Sequence, residues 1–177
     1  AEWYKRWYAV TLQPDSEILP LIGSKEGIMH ICMTYLNEGD TVLIPDPGYP
    51  TYKAAATIAG ATYIPYQLTN ELNWFPDLAA IEKHDLTKVK LMFVNYPHMP
   101  TGQLPIQTVF DQLVSFAKKH NILLVHDNPY SFILNNNPMS LLSVEGAKKV
   151  AIELNSLSKS HNMAGWRVGM MVGAKNK

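Results

Sequence analysis

The stretch SLSKSHNMAGWRVG, residues 156–169, decides how this chain is read. It sets Lys159 between two serines directly after an apolar run, and Arg167 eight residues later. Small, polar and loop-forming residues follow the lysine. The pattern reads as a lysine held out from the sheet edge over a cleft, with an arginine returning toward it. The rest of the chain must supply the cleft.

Working outward, the chain alternates. TVLIP (41–45), ATYIPY (61–66), KLMFVN (90–95), NILLVHD (121–127), KVAIELNS (149–156) and RVGMMVG (167–173) read as buried strands. PTYKAAATIAG reads as a helix stopped by Gly60. Residues 76–83 read as a short helix with Pro76 near its first turn. PIQTVFDQLVSFAKKH sets Val109, Phe110, Leu113, Val114 and Ala117 on one helical face, with Pro105 opening it. LIGSKEGIMH reads as a glycine turn leading into a helix from about Ser24–Lys25, and EWYKRWY at the start also reads as helical. Near-continuous apolar strands separated by helices mean a mostly parallel sheet covered on both faces. The expectation is an α/β fold, three-layer αβα, with a mostly parallel sheet of about seven strands in one domain over 1–177.

Composition narrows the function classes. Lysine plus arginine balances aspartate plus glutamate at a net charge of zero, so no basic field exists to hold nucleic acid or an anionic membrane. Lys118-Lys119 and Lys148-Lys149 read as solvated helix ends. The single cysteine, Cys32, cannot form an internal disulfide and reads as packed on an apolar helix face. That favours a reducing compartment and a cytoplasmic location. No apolar run approaches the ~20 residues of a membrane helix. Metal-helix, nucleophile-elbow and phosphate-loop motifs are absent, and His126 reads as packed near the sheet rather than as a metal ligand. A start at Ala1 and a stop at GAKNK give the expectation of a piece of a longer protein.

In open parallel sheets, ligands bind beyond the carboxyl ends of the strands. There this sequence offers Tyr49 and Tyr52 in IPDPGYPTY, the stretch NYPHMPTG (95–102), Asp127 and Tyr130 in DNPY, and Ser156, Ser158 and Lys159. The helix start at Ser24 and Lys25 leaves backbone N–H groups to hold a phosphate. Each feature has a plainer reading alone: Ser24 as an N-cap, Asp127 as a turn cap, Tyr49 as core, Lys159 as a surface lysine. Together they provide an amine to condense with an aldehyde, a carboxylate to keep a ring nitrogen protonated, a phosphate cup and an aromatic face. That set describes pyridoxal phosphate.

The segments LPLIGSKEGIMH, IPDPGYPTY, NYPHMPTG, DNPYSF and SLSKSHNMAGWRVG, in this order, resemble the large domain of fold-type I pyridoxal-phosphate enzymes, the class I/II aminotransferases, nearest the aspartate and LL-diaminopimelate aminotransferase branch. The resemblance implies that Lys159 carries the cofactor and then shuttles a proton. It gives phosphate contacts to Arg167, Ser156, Ser158 and the Ser24–Lys25 helix start. It pairs Asp127 with the ring nitrogen, Tyr130 with the ring hydroxyl, and Tyr49 with the ring face. It further implies amino acid and 2-oxo acid substrates and a homodimer in the full-length protein, whose N-terminal arm and small domain are missing here. Weak or no turnover is expected of the chain by itself.

One position departs from the family's pattern. Met99 stands where an asparagine usually hydrogen-bonds the ring hydroxyl, and a thioether cannot donate. Tyr130 alone, His98 or Asn95 could take that contact. Rival readings are a C–S lyase or related enzyme on the same fold, or a non-catalytic pyridoxal-phosphate-binding module.

Overall fold

The computed structural model describes residues 1–175; Asn176 and Lys177, the end of GAKNK, lie outside the described residues. In chain order the elements are α1 (Glu2–Tyr8), α2 (Pro14–Glu17), β1 (Ile18–Leu21), α3 (Ser24–Tyr35), β2 (Thr41–Asp46), α4 (Pro50–Ile58), β3 (Thr62–Gln67), α5 (Leu78–Ile81), β4 (Val89–Asn95), α6 (Gln107–His120), β5 (Leu123–Asp127), β6 (Ala151–Ser156), α7 (Leu157–Ser160) and β7 (Gly169–Gly173). All strands join one seven-stranded sheet, ordered β1-β7-β6-β5-β4-β2-β3. The run from β3 to β6 is parallel, and β7 lies antiparallel between β6 and β1.

Strand side chains alternate between faces, and here each face has its own helix layer. Leu91, Phe93 and Val125 pack with Ile28, Ile31 and Cys32 of α3 and with Tyr52, Ala55 and Ala56 of α4. Met92, Val94 and Leu124 pack with Tyr4 and Tyr8 of α1 and with Phe110, Leu113 and Ala117 of α6. This is the expected α/β, three-layer αβα arrangement. Burying each of the larger aliphatic and aromatic side chains among these contributes roughly 1.5–3 kcal/mol, so the two apolar layers hold the sheet in place under its strand ends. The face predicted for α6 is the buried one, and the helix ends at Asn121 in the left-handed conformation after a basic last turn.

The structure corrects several sequence readings. β1 has no counterpart among the predicted strands: it is a four-residue edge strand carrying Pro20, which weakens any strand signal. Arg167 and Val168 precede β7 instead of opening it, with Arg167 itself left-handed at φ 54°. Ser24 is not a cap; Gly23 holds the N-cap position at φ 79°, and Ser24 is the first helical residue. Pro76 and Pro105 stand just outside their helices, whose N-caps are Asp77 and Ile106. Lys148 is not a solvated helix end: its ammonium contacts the Glu17 carboxylate at 2.9 Å and the Thr11 carbonyl at 2.8 Å.

Candidate active site

Parallel packing of β2, β4, β5 and β6 aligns their carboxyl ends, and a cavity of about 340 Å³ opens over them. Its lining contains every predicted site residue: Ser24, Lys25, Tyr49, Asp127, Tyr130, Ser156, Ser158, Lys159 and Arg167. Their positions follow from the strand ends. Asp127 is the last residue of β5, Ser156 the last of β6, and Lys159 sits in the single turn of α7 immediately after.

One end of the cavity is built of donors. The turn at Gly23 brings the start of α3 against Arg167, so closely that a Cβ on Gly23 would lie 2.0 Å from the guanidinium. Arg167 donates to the Ala164 carbonyl at 3.2 Å and the Ile22 carbonyl at 3.4 Å, and among the described residues no carboxylate lies within ion-pair distance of it. Gly169 packs on the same turn, where a Cβ would sit 2.7 Å from the Ser24 nitrogen. The first-turn N–H groups of a helix lack intrahelical partners, and here they lie beside a guanidinium. The Ser156 hydroxyl is already engaged, accepting from the Ser158 N–H at 3.1 Å as the N-cap of α7.

The other end is a buried anion. Asp127 is 5% exposed. Its Oδ2 accepts a hydrogen bond from the Tyr52 hydroxyl at 2.8 Å, while Oδ1 is buried with no partner. Burial pushes the carboxyl up to about 6; Tyr52 and the nearby His126 pull it the other way. Tyr52 is fully buried, with its ring stacked on Phe93 at 4.6 Å. Above this end stand Tyr130, raised by burial and then by Asp127, and Tyr49. Burial raises Tyr49 too, but Thr51 and Lys25 outweigh it, and the Lys25 ammonium sits 5.6 Å from the Tyr49 ring centroid.

This donor set fits pyridoxal phosphate on an observation of the structure itself. A buried carboxylate oxygen without a partner awaits a positively charged N–H, and a cationic, N–H-rich turn faces it across the cavity. The structure also narrows the consequence of Met99. Asn95 spends one amide N–H on the Asp127 carbonyl at 2.8 Å and accepts from the Met99 N–H at 2.9 Å, which leaves its second N–H at the cavity lining. His98 bridges the Thr101 hydroxyl at 2.8 Å and the Pro47 carbonyl at 3.1 Å, away from the cavity lining. Tyr130 and the second amide N–H of Asn95 are the candidates left at the cavity.

Tyr52 is the site side chain that sequence reasoning leaves without a role, and Asn95 enters it only as a donor to the ring hydroxyl, not as the partner of the Asp127 carbonyl. A signal for Tyr52 existed: Tyr52, Ala55 and Ala56 follow the i, i+3, i+4 spacing of an inward helix face, so Tyr52 had to point at the sheet.

The sequence pattern of the aminotransferase class I and II family matches residues 1–176. The chain is 50% identical over 175 residues to the LL-diaminopimelate aminotransferase of Halothermothrix orenii, covering 98% of this chain and 45% of the relative. It is 47% identical to the enzyme of that name from Aquifex aeolicus, covering 99% and 46%. Among solved structures, substrate-bound BacF from Bacillus subtilis superposes with a TM-score of 0.96 at 42% identity, over 99% of this chain and 45% of that one. A probable N-succinyldiaminopimelate aminotransferase from Thermus thermophilus gives 0.93 at 36%, over 99% and 48%. The chain thus spans about 45% of the length of the curated relatives it matches. With this pattern running through the whole fold and the cavity assembled at its strand ends, the chain belongs to the class I and II aminotransferase family.

Proposed function

We propose that this chain is the cofactor-binding part of a pyridoxal-phosphate-dependent aminotransferase, which moves an amino group from an amino acid to a 2-oxo acid. The observation that carries the reading is the pairing of Lys159 with the buried, half-satisfied Asp127 in one cavity. The family is generally pyridoxal-phosphate-dependent, and the aminotransferase names of the relatives support transfer over C–S cleavage. The diaminopimelate names among them point to an amino acid with a second polar end as substrate.

Pyridoxal phosphate, when bound, supplies an aldehyde for amine condensation and a ring that accepts electrons from the substrate α-carbon. This chain's residues do the rest. Lys159 presents the amine and, once that amine is free, moves the proton at the substrate α-carbon. Asp127 holds a proton on the ring nitrogen, where its burial strengthens the attraction. Arg167, the N–H groups at Ser24 and Lys25, and the Ser158 hydroxyl would hold the phosphate, and Ser156, expected from the sequence to join them, would do so only by giving up its 3.4 Å donation to the Val168 carbonyl. Tyr49 covers the ring face, and Tyr130 donates to the ring hydroxyl. The reading includes a homodimer for the full-length protein and a cytoplasmic location, the latter resting on the single buried free thiol of Cys32.

The test is borohydride reduction after adding pyridoxal phosphate, followed by peptide mapping, with Lys159→Ala alongside. A stable adduct on Lys159, absent in the variant, is expected. Labelling spread over surface lysines, equal in the variant, would overturn the reading.

A further inference from the structure

At its carboxyl end the sheet splits between two strands. β4 stays paired with β5 as far as Asn95 and Asp127, and β2 stays paired with β3 as far as Asp46 and Gln67. Between β2 and β4 the pairing runs only to Leu43 and Met92. The chain order also reverses here, since β3 lies outward of β2 and β4 lies on its other side. Open α/β sheets take ligands at such a switch point, and the strand ends beside it must be held by something other than ladder hydrogen bonds.

One buried side chain spans the split. His98, 2% exposed, lies three residues past the end of β4, and its Nε2 is 3.1 Å from the Pro47 carbonyl oxygen, just past the end of β2. A carbonyl only accepts, so Nε2 is the donor, for a neutral ring and a charged one alike. Nδ1 lies 2.8 Å from the Thr101 hydroxyl. The His98 backbone closes its own turn, donating to the Gln103 carbonyl at 2.8 Å and accepting from the Gly102 N–H at 2.7 Å. Asn95 ties that turn to β5, because its amide joins the Met99 N–H to the Asp127 carbonyl. The ties thus run from Asp127, through residues 95–103, to Pro47. Tyr49 stands two residues beyond Pro47, and Pro50 opens α4, which carries Tyr52 onto Asp127.

We infer that His98 is a positioning residue for the candidate site: across the gap between β2 and β4 it fixes the loop that sets Tyr49 over the cofactor ring. Tyr49 is only half-buried, so its own packing does not hold that loop as a core residue would be held. The His98 ring is turned away from the cavity, so it touches neither cofactor nor substrate and acts through Pro47 and Tyr49. The inference rests on the reading of Tyr49 as the residue that covers the ring. It asks of His98 one donated hydrogen bond and no particular charge.

The test uses the 177-residue chain and two substitutions. A glutamine amide reaches the place of Nε2, whereas an asparagine amide reaches only that of Nδ1, so His98→Gln keeps the donation to Pro47 and His98→Asn loses it. Both variants lose the same ring, 5.9 Å from that of Tyr96, so a merely structural role would move them together. Without cofactor, the fluorine-19 signal of fluorotyrosine at position 49, assigned with Tyr49→Phe, should hold its place in His98→Gln and shift or broaden in His98→Asn. Affinity for pyridoxal phosphate, by absorbance titration, should fall about tenfold in His98→Asn and no more than about threefold in His98→Gln. Two folded variants alike in the Tyr49 signal, or alike in affinity for a cofactor that the wild type binds, would overturn the inference. If the variants do not fold, the nitrogen-15 spectrum of the wild-type ring decides. At pH 8 burial keeps the His98 ring neutral, its one ring hydrogen is expected on Nε2, and a hydrogen on Nδ1 alone would overturn the inference. Failure of the cofactor reading is separately visible, as absent trapping on Lys159 with the two variants still differing at Tyr49.

Discussion

The Tyr52 hydroxyl donates to Asp127 Oδ2 at 2.8 Å and leaves Asp127 Oδ1 buried without a partner. The carboxylate is thus held in place by one oxygen and offered to the cavity by the other. In the chain without cofactor this arrangement is destabilising, because an anion is buried with incomplete hydrogen bonding.

Asp127→Asn should therefore stabilise the unloaded chain. The folded carboxyl titrates at about 6 against an ordinary 3.8, so between those values the folded state holds a proton that the unfolded state has released. Stability of the wild type falls as pH rises through that window, by about 3 kcal/mol in all, and is flat above it. The new amide leaves an unpartnered donor that removes part of the gain. Thermal unfolding should show the variant more stable by about 1–2 kcal/mol at pH 8, with the advantage gone near pH 4. The same variant should bind pyridoxal phosphate about tenfold more weakly or worse, measured by absorbance titration.

Tyr52→Phe keeps the ring stacked on Phe93 and removes only the hydroxyl. Both Asp127 oxygens then lack a partner. The expected deficit is about 1.5–3 kcal/mol at pH 8, where Asp127 is ionised, and smaller near pH 4. Equal deficits at the two pH values would show that the hydroxyl acts through packing, not through the carboxylate.

Met99→Asn restores an amide donor beside a cavity from which His98 is turned away and where Asn95 has one amide N–H engaged. A donor to the ring hydroxyl favours its ionised form. The pH midpoint of the visible absorbance of the loaded chain should fall by about 0.5–1 unit. An unchanged midpoint would sink the idea that Met99 alters the site.

Gly169→Ala tests the phosphate end. The added Cβ would meet the Ser24 nitrogen at 2.7 Å, the Gly23 carbonyl carbon at 2.9 Å and the Asn155 carbonyl oxygen at 3.0 Å, all backbone atoms that cannot swing aside. Destabilisation of about 1–3 kcal/mol is expected. Because the strain falls on the turn that faces Arg167, affinity for inorganic phosphate should drop with it, measured by calorimetry.

The legibility of this chain follows from what each signal reports. Period-two and period-3.6 patterns record local burial, so β4, β5, β6 and the inward face of α6 could be read directly. The site residues could be read because parallel topology obliges each to stand at a strand's carboxyl end or a helix start, wherever the strands finally lie. Short edge strand β1, with its proline and exposed side chains, left no such record.

The layers, the end of the sheet where a ligand would bind and the chemical types gathered there can all be read along the chain. Those are properties of single elements and of their order along the chain. Which groups meet follows from packing in three dimensions. It set Tyr52, not Tyr49, on Asp127; it closed the contact between His126 and Glu153 across two strands; and it tied Tyr4 to Glu153 over 149 residues. Such pairings depend on strand register and on how helices cross the sheet. Both are fixed by packing between distant segments, and neither leaves a trace in local periodicity.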